Sequence, residues 1–130
     1  MLAQVTMPTP RAKALMSLFK LKYPILEAPH GLATGPDLTI AVSNAGAMGS
    51  LALTGRSSDQ TRTFVSNVRV ATKGAFFVNY ILREEPASLK VALDAGAPIV
   101  QLAYWLHNQL NGRCWIHWDD QLWKEWRSNI

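Results

Sequence analysis

Cysteine is almost missing. Cys114 stands alone among 130 residues, which excludes an internal disulfide framework and makes a reducing, cytoplasmic setting the expectation. No apolar run approaches the roughly 18 residues that a membrane span needs. Charged residues make up only 17% against 48% apolar, which excludes a charged disordered chain and leaves material for a core. No GxGxxG follows the first apolar segment, where a dinucleotide-binding fold would carry it. Acidic residues are missing from the N-terminus: Arg11, Lys13, Lys20 and Lys22 all precede Glu27, the first acid. The other nine basic residues balance all nine acids, so the net charge of +4 is a basic arm over residues 1–22 and not a basic domain. Four charges are a weak footprint for nucleic acid, and no nucleic-acid partner is expected. Acid-free and holding Ser and Thr, the arm also has a targeting peptide's composition, although no secretory apolar region follows it. The simplest reading is a helix from Pro10 to Lys20 capping the domain, with Leu15, Leu18 and Phe19 on one face.

What is present is an alternation of strand and helix signals. Residues 23–29 read as a short strand ending at Pro29, and residues 30–35 as a loop. Pro36 and Asp37 suit a helix start, Leu38, Ala41, Val42 and Ala45 make its apolar stripe, and Gly46 its stop. Met48 to Leu53 is the next strand. Ser57, Ser58 and Asp59 offer a cap to a helix carrying Phe64, Val65, Val68 and Ala71, closed by Lys73 and Gly74. Ala75 to Ile81 is a third strand. Pro86 opens a third helix with Leu89, Ala92 and Leu93, ended by Gly96, and Pro98 to about Tyr104 is a fourth strand. The order βαβαβαβ, with strands about 25 residues apart, predicts an α/β fold with a parallel sheet. The pattern alone does not separate a doubly wound sheet from a barrel, but the missing GxGxxG leans towards a barrel.

After residue 104 the composition changes. All five tryptophans, Trp105, Trp115, Trp118, Trp123 and Trp126, fall in a divergent tail over residues 105–130, and residues 118–130 can form a short helix. Trp118, Leu122 and Trp126 share one face of that helix, as a stripe covering a sheet or core edge would. His107, Cys114 and His117, with Asp119 or Asp120, match no standard zinc spacing, so no metal site is expected.

The stretches Tyr23-Pro-Ile-Leu-Glu-Ala-Pro29, Val42-Ser-Asn-Ala-Gly-Ala-Met-Gly-Ser-Leu51, Phe77-Val-Asn79 and Val91-Ala-Leu-Asp-Ala-Gly-Ala-Pro-Ile-Val-Gln101 together resemble the nitronate monooxygenase family, formerly called 2-nitropropane dioxygenases. The resemblance runs from about Leu18 to Gln101. It implies a TIM (β/α)8 barrel, FMN as cofactor, and oxidation of alkyl nitronates by O2 to a carbonyl compound and nitrite. In such a barrel the site lies at the C-terminal ends of the strands. The resemblance therefore implies cofactor contacts from Ala28, Pro29, His30 and Gly31 after the first strand, from Asn79 on the third, and from Gln101 on the fourth. Ser43 to Gly46 is read as a helix end and not a contact.

The chain departs from the family pattern in several places. Glu27 stands where glutamine is usual, and His30 where methionine is usual. No match to the family's catalytic histidine or to its glycine-rich phosphate loops is found, so no catalytic residue is assigned. A TIM barrel takes roughly 250 residues, so the expectation is a truncated half-barrel: residues 23–104 as about four βα units, weakly active or inactive alone. The alternative is a non-enzymatic half-barrel remnant. Its open four-strand sheet has two unpaired edges, which favours a homo-oligomer.

Overall fold

The computed structural model describes residues 8–31, 33, 35–82, 87–104 and 115–117. The elements in chain order are α1 (Pro10–Phe19), α2 (Pro36–Ala45), β1 (Gly49–Ala52), α3 (Ser58–Ala71), β2 (Phe76–Leu82), α4 (Leu89–Asp94), β3 (Val100–Tyr104) and β4 (Trp115–His117). Strands β1, β2 and β3 are parallel neighbours in sequence order. The expected first strand is reduced to one parallel bridge, Leu26 with Met48. The sheet therefore holds three parallel strands and a single bridged pair in place of four full strands.

The helices start and stop where local chemistry directs. Ser57 caps α3 in a reciprocal box: its hydroxyl accepts the Gln60 N–H at 3.2 Å, and the Gln60 side chain accepts the Ser57 N–H at 3.2 Å. Pro36 opens α2, and Gly46 closes it at φ +94°. The residues that α2 buries are not the expected stripe. Thr39 and Ser43 are buried, while Leu38 is 46% exposed. The reason is hydrogen bonding at close range. The Thr39 hydroxyl lies 2.5 Å from the Ser50 carbonyl oxygen, and Ser43 Oγ donates to the Ala75 carbonyl at 2.9 Å. Short hydroxyl side chains satisfy main-chain groups that a longer apolar side chain would cover unpaired.

The alternation of the strands divides the sheet into two faces. Leu51, Leu53, Phe76, Val78, Tyr80, Val100 and Leu102 point to one face and form a core with Val65 and Val68 of α3 and Leu89 and Ala92 of α4. Helix α2 joins the same face, because a Cβ on Gly49 would sit 2.6 Å from the Thr39 carbonyl oxygen. All three crossover helices thus cover one face. A doubly wound sheet would carry helices on both faces; a barrel wall carries them on the outside only. The inner face carries Ser50, Ala52, Phe77, Asn79 and Gln101. At the N-terminal ends of the strands, Leu21, Met48, Phe77 and Ile99 make a second cluster with Met16 and Phe19 of α1. Helix α1 packs there through Phe19, one of the three residues expected on its apolar face, and through Met16, while Leu18 is 57% exposed.

The tail contributes a strand. β4 pairs antiparallel with β3, Gln101 opposite Ile116, so β3, expected as an edge strand, is covered and β4 is the outermost strand on that side. The expected helix over 118–130, with the Trp118, Leu122 and Trp126 stripe, lies outside the described residues, as do His107, Cys114, Asp119 and Asp120 of the zinc reading.

Two stability outcomes follow. Gly49→Ala is expected to cost about 1–3 kcal/mol by forcing α2 off β1, measured by urea unfolding; an unchanged midpoint would refute the close approach. Burial raises the Tyr80 phenol above its ordinary 10.0, opposed by the nearby Ser88 and Thr61 hydroxyls. Tyr80 OH and Ser88 Oγ lie 3.2 Å apart, while Thr61 Oγ1 reaches no partner in good hydrogen-bond geometry. Below pH 10 the phenol is neutral in both states. Above it the unfolded chain ionises first, so stability falls as pH rises through the raised value. Thermal melts between pH 9 and 11 should show this fall, and Tyr80→Phe should flatten it.

Candidate functional site

The C-terminal ends of the parallel strands share one rim; on the inner face below it Asn79 and Gln101 lie level with Ala52, the last residue of β1, with Ile81 and Ala103 one position above them. By register, Ala52 pairs with Asn79 and Asn79 with Gln101. The two amides meet: Asn79 Nδ2 donates to Gln101 Oε1 at 3.0 Å. Asn79 is only 4% exposed. A buried amide on an otherwise apolar strand must be satisfied, and its neighbour on β3 does so.

The segment Ala28 to Gly31 follows the first bridged pair, Leu26 with Met48. The bridge to β1 uses Met48 N–H to Ile25 O at 3.0 Å and Glu27 N–H to Met48 O at 2.8 Å. A continuing parallel ladder would next join Ser50 N–H to the residue-27 carbonyl and Ser50 O to the residue-29 N–H. Neither bond forms. Ser50 N–H donates to Glu27 Oε2 at 2.8 Å, residue 29 is proline with no N–H, and the Thr39 hydroxyl takes Ser50 O. The chain leaves the sheet at Ala28. It turns at His30, whose carbonyl accepts the Ala33 N–H at 2.8 Å, and passes through Gly31 at φ +50°. A Cβ on Gly31 would meet nothing within 4 Å. Ala28, His30 and Gly31 are exposed and Pro29 is half-buried.

The top of β1 ends in the same manner. Ile81 N–H, which a longer ladder would give to Leu53 O, donates to Thr54 Oγ1 at 2.8 Å, while Leu53 O accepts the Arg56 N–H at 3.0 Å. Sequence reasoning noted Glu27 only as a departure and did not single out Thr54. A carboxylate two residues before a proline in an apolar segment is the signal that could have marked the first.

Of the six residues expected at a cofactor, the structure joins Asn79 and Gln101 directly and sets Ala28, Pro29, His30 and Gly31 on the loop leaving the first bridged segment. The donor set fits the polar edge of a flavin ring. Two amides offer both donors and acceptors, and the small Ala52 stands next to Asn79 on β1. Among the described residues nothing forms a glycine-rich phosphate cradle. No group of three or more His, Cys, Asp or Glu able to hold a metal occurs among them, and none of their helices is long and apolar enough to cross a membrane.

Comparison with known proteins gives a consistent result. The sequence model of the family described as "Nitronate monooxygenase" matches residues 12–117, so the match continues past Gln101 into the tail. A nitronate monooxygenase of Pseudomonas aeruginosa is 35% identical over 86 residues, 63% of this chain and 24% of that protein. One of Paraburkholderia phytofirmans is 32% identical over 82 residues, 63% of this chain and 22% of that protein. The chain thus spans about a quarter of the length of the curated relatives it matches. Among solved structures, FabK from Thermotoga maritima superposes with a TM-score of 0.64 at 30% identity, covering 75% of this chain and 30% of that one. A methionine-to-alanine mutant of the same protein gives 0.63 at 31% identity, over 68% of this chain and 31% of that one.

The two sheet faces should respond differently to truncation. Asn79→Ala removes one hydrogen bond and should cost about 0.5–1.5 kcal/mol. Leu51→Ala, at a fully buried position facing the helices, should cost about 2–5 kcal/mol. Equal costs in urea unfolding would mean that Asn79 is a packing residue.

Proposed function

The chain belongs to the nitronate monooxygenase family, and we propose that it forms the ring-facing wall of an FMN-dependent oxidoreductase site of that type. The reaction is the oxidative denitrification of an alkyl nitronate with O2. The observation that carries this reading is the Asn79–Gln101 amide pair on the inner face, level with the end of β1 and below the ends of β2 and β3. FMN, when bound, supplies the electron acceptor for the substrate and the site of reoxidation by O2. This chain's own residues bind and orient. Asn79 and Gln101 would offer hydrogen bonds to the ring, and Ala28 to Gly31 would line it. The phosphate end and the base come from chain beyond Gln101 in the family pattern. Alone, the 130 residues hold FMN weakly and turn over slowly or not at all. The working division is a capping arm over residues 1–22, a barrel wall over residues 23–104 and a tail over 105–130, of which the family match reaches residue 117, in a cytoplasmic protein.

A second reading has its own observation. Among the described residues no strand pairs with the outer edge at Tyr23 to Leu26, where Tyr23, Ile25 and Leu26 are exposed; Leu18 of α1 is exposed as well. An open strand edge flanked by apolar side chains favours self-association, so a remnant that survives by pairing is the alternative.

FMN titration of the purified chain, followed by flavin fluorescence, separates the two. The flavin reading predicts saturable binding, weakened about tenfold by Asn79→Leu because one amide bond to a bound ring is lost. Absence of binding by a folded chain that sediments as a dimer would instead favour the pairing reading.

A further inference from the structure

At two neighbouring strand tops, a side chain takes the main-chain N–H that the parallel ladder would give to a backbone carbonyl. Glu27 does so for Ser50, and Thr54 does so for Ile81. The substitution at Glu27 has a geometric consequence. If the residue-27 carbonyl bonded Ser50, the chain would run on along β1, and Ala28 to Gly31 would lie flat on the edge of the sheet. With the carboxylate in that place, the carbonyl is released and the backbone can turn away. The other Ser50 group is held as well, since Thr39 engages its carbonyl and Pro29 has no N–H to offer it. The second Glu27 oxygen, Oε1, is buried without a hydrogen-bond partner, as is Ser50 Oγ beside it. A carboxylate kept in so poorly satisfied a place is not there for stability.

We propose that Glu27 is a positioning residue: through Ser50 N–H it ends the first strand and sets the course of Ala28 to Gly31, the wall of the flavin reading. This rests on the flavin reading only for what the wall faces; the strand-ending role stands on the hydrogen bonds alone. What the role requires is an acceptor at Oε2, not a negative charge. Glutamine provides that acceptor and alanine does not. With alanine, the backbone carbonyl of residue 27 is the remaining partner for Ser50 N–H, and the loop is drawn back towards β1.

The test compares the full-length chain with Glu27→Gln, Glu27→Ala and Pro29→Ala. Main-chain amide shifts of Ala28, His30 and Gly31 are followed by NMR, and FMN is titrated into each protein. Glu27→Gln should leave these amides in place and FMN affinity within about twofold, whereas Glu27→Ala should move them and weaken FMN about tenfold or more. Pro29→Ala should leave the amides in place, because both Ser50 groups are already engaged; this arm decides the matter if Glu27→Ala does not fold. The proposal is overturned if Glu27→Ala leaves the amides unmoved, if Glu27→Gln moves them as alanine does, or if Pro29→Ala alone draws the loop into the ladder. A wild-type chain that binds no FMN would defeat the flavin reading, while the amide comparison would still decide the role of Glu27.

Discussion

Three crossover helices lie on one face of a parallel sheet, and that one-sidedness governs the rest of the molecule. It requires α2 to approach β1 so closely that Gly49 has no room for a side chain. It sends Leu51 of β1, Phe76, Val78 and Tyr80 of β2, and Val100 and Leu102 of β3 into a single apolar core. The opposite residues are thereby freed from packing against helices and can carry amides. Because the strands are parallel, their C-terminal ends share one rim, and the inner polar residues gather beneath it. Helix α1 closes the other end through Met16 and Phe19, so only one end of the sheet is left for chemistry.

The rim owes its shape to where hydrogen-bond ladders stop. A ladder that ran to the end of each strand would leave little free backbone at the top. Here Glu27 and Thr54 divert N–H groups into side-chain acceptors, and the released carbonyls let the chain turn into loops. Loops made this way are held at their roots by the sheet, which suits residues that must face a ligand at fixed distance. The buried, unpartnered Glu27 Oε1 fits a site in which stability is given up locally for geometry.

Much of this was legible in the sequence, and the limits have physical causes. The strand–helix order and the helix ends could be read because caps, prolines and glycines act locally: Ser57, Pro36 and Gly46 do what their chemistry dictates in any fold. Asn79 and Gln101 were each singled out through family resemblance and not by periodicity, and their bond to one another was not foreseen. The buried face of α2 was misread because apolar periodicity ignores short hydroxyl residues, and Thr39 and Ser43 are buried to serve main-chain carbonyls of the sheet. Leu18 was misread for a similar reason, since the cluster at the strand bottoms lies towards Met16 and Phe19. The expected first strand shrank to one bridge because its end is set by a tertiary hydrogen bond from Ser50, which no local pattern reports. The antiparallel β4 was unforeseen because a three-residue strand leaves no periodicity to read.

The most direct test of the account is the response of the inner rim to flavin. In an isotope-labelled chain titrated with FMN, the side-chain amides of Asn79 and Gln101 should shift together with the main-chain amides of Ala28, His30 and Gly31, while Val65 and Val68 on the helix side stay still. Shifts confined to the helix side, or saturable binding that leaves the Asn79 and Gln101 amides unmoved, would contradict it.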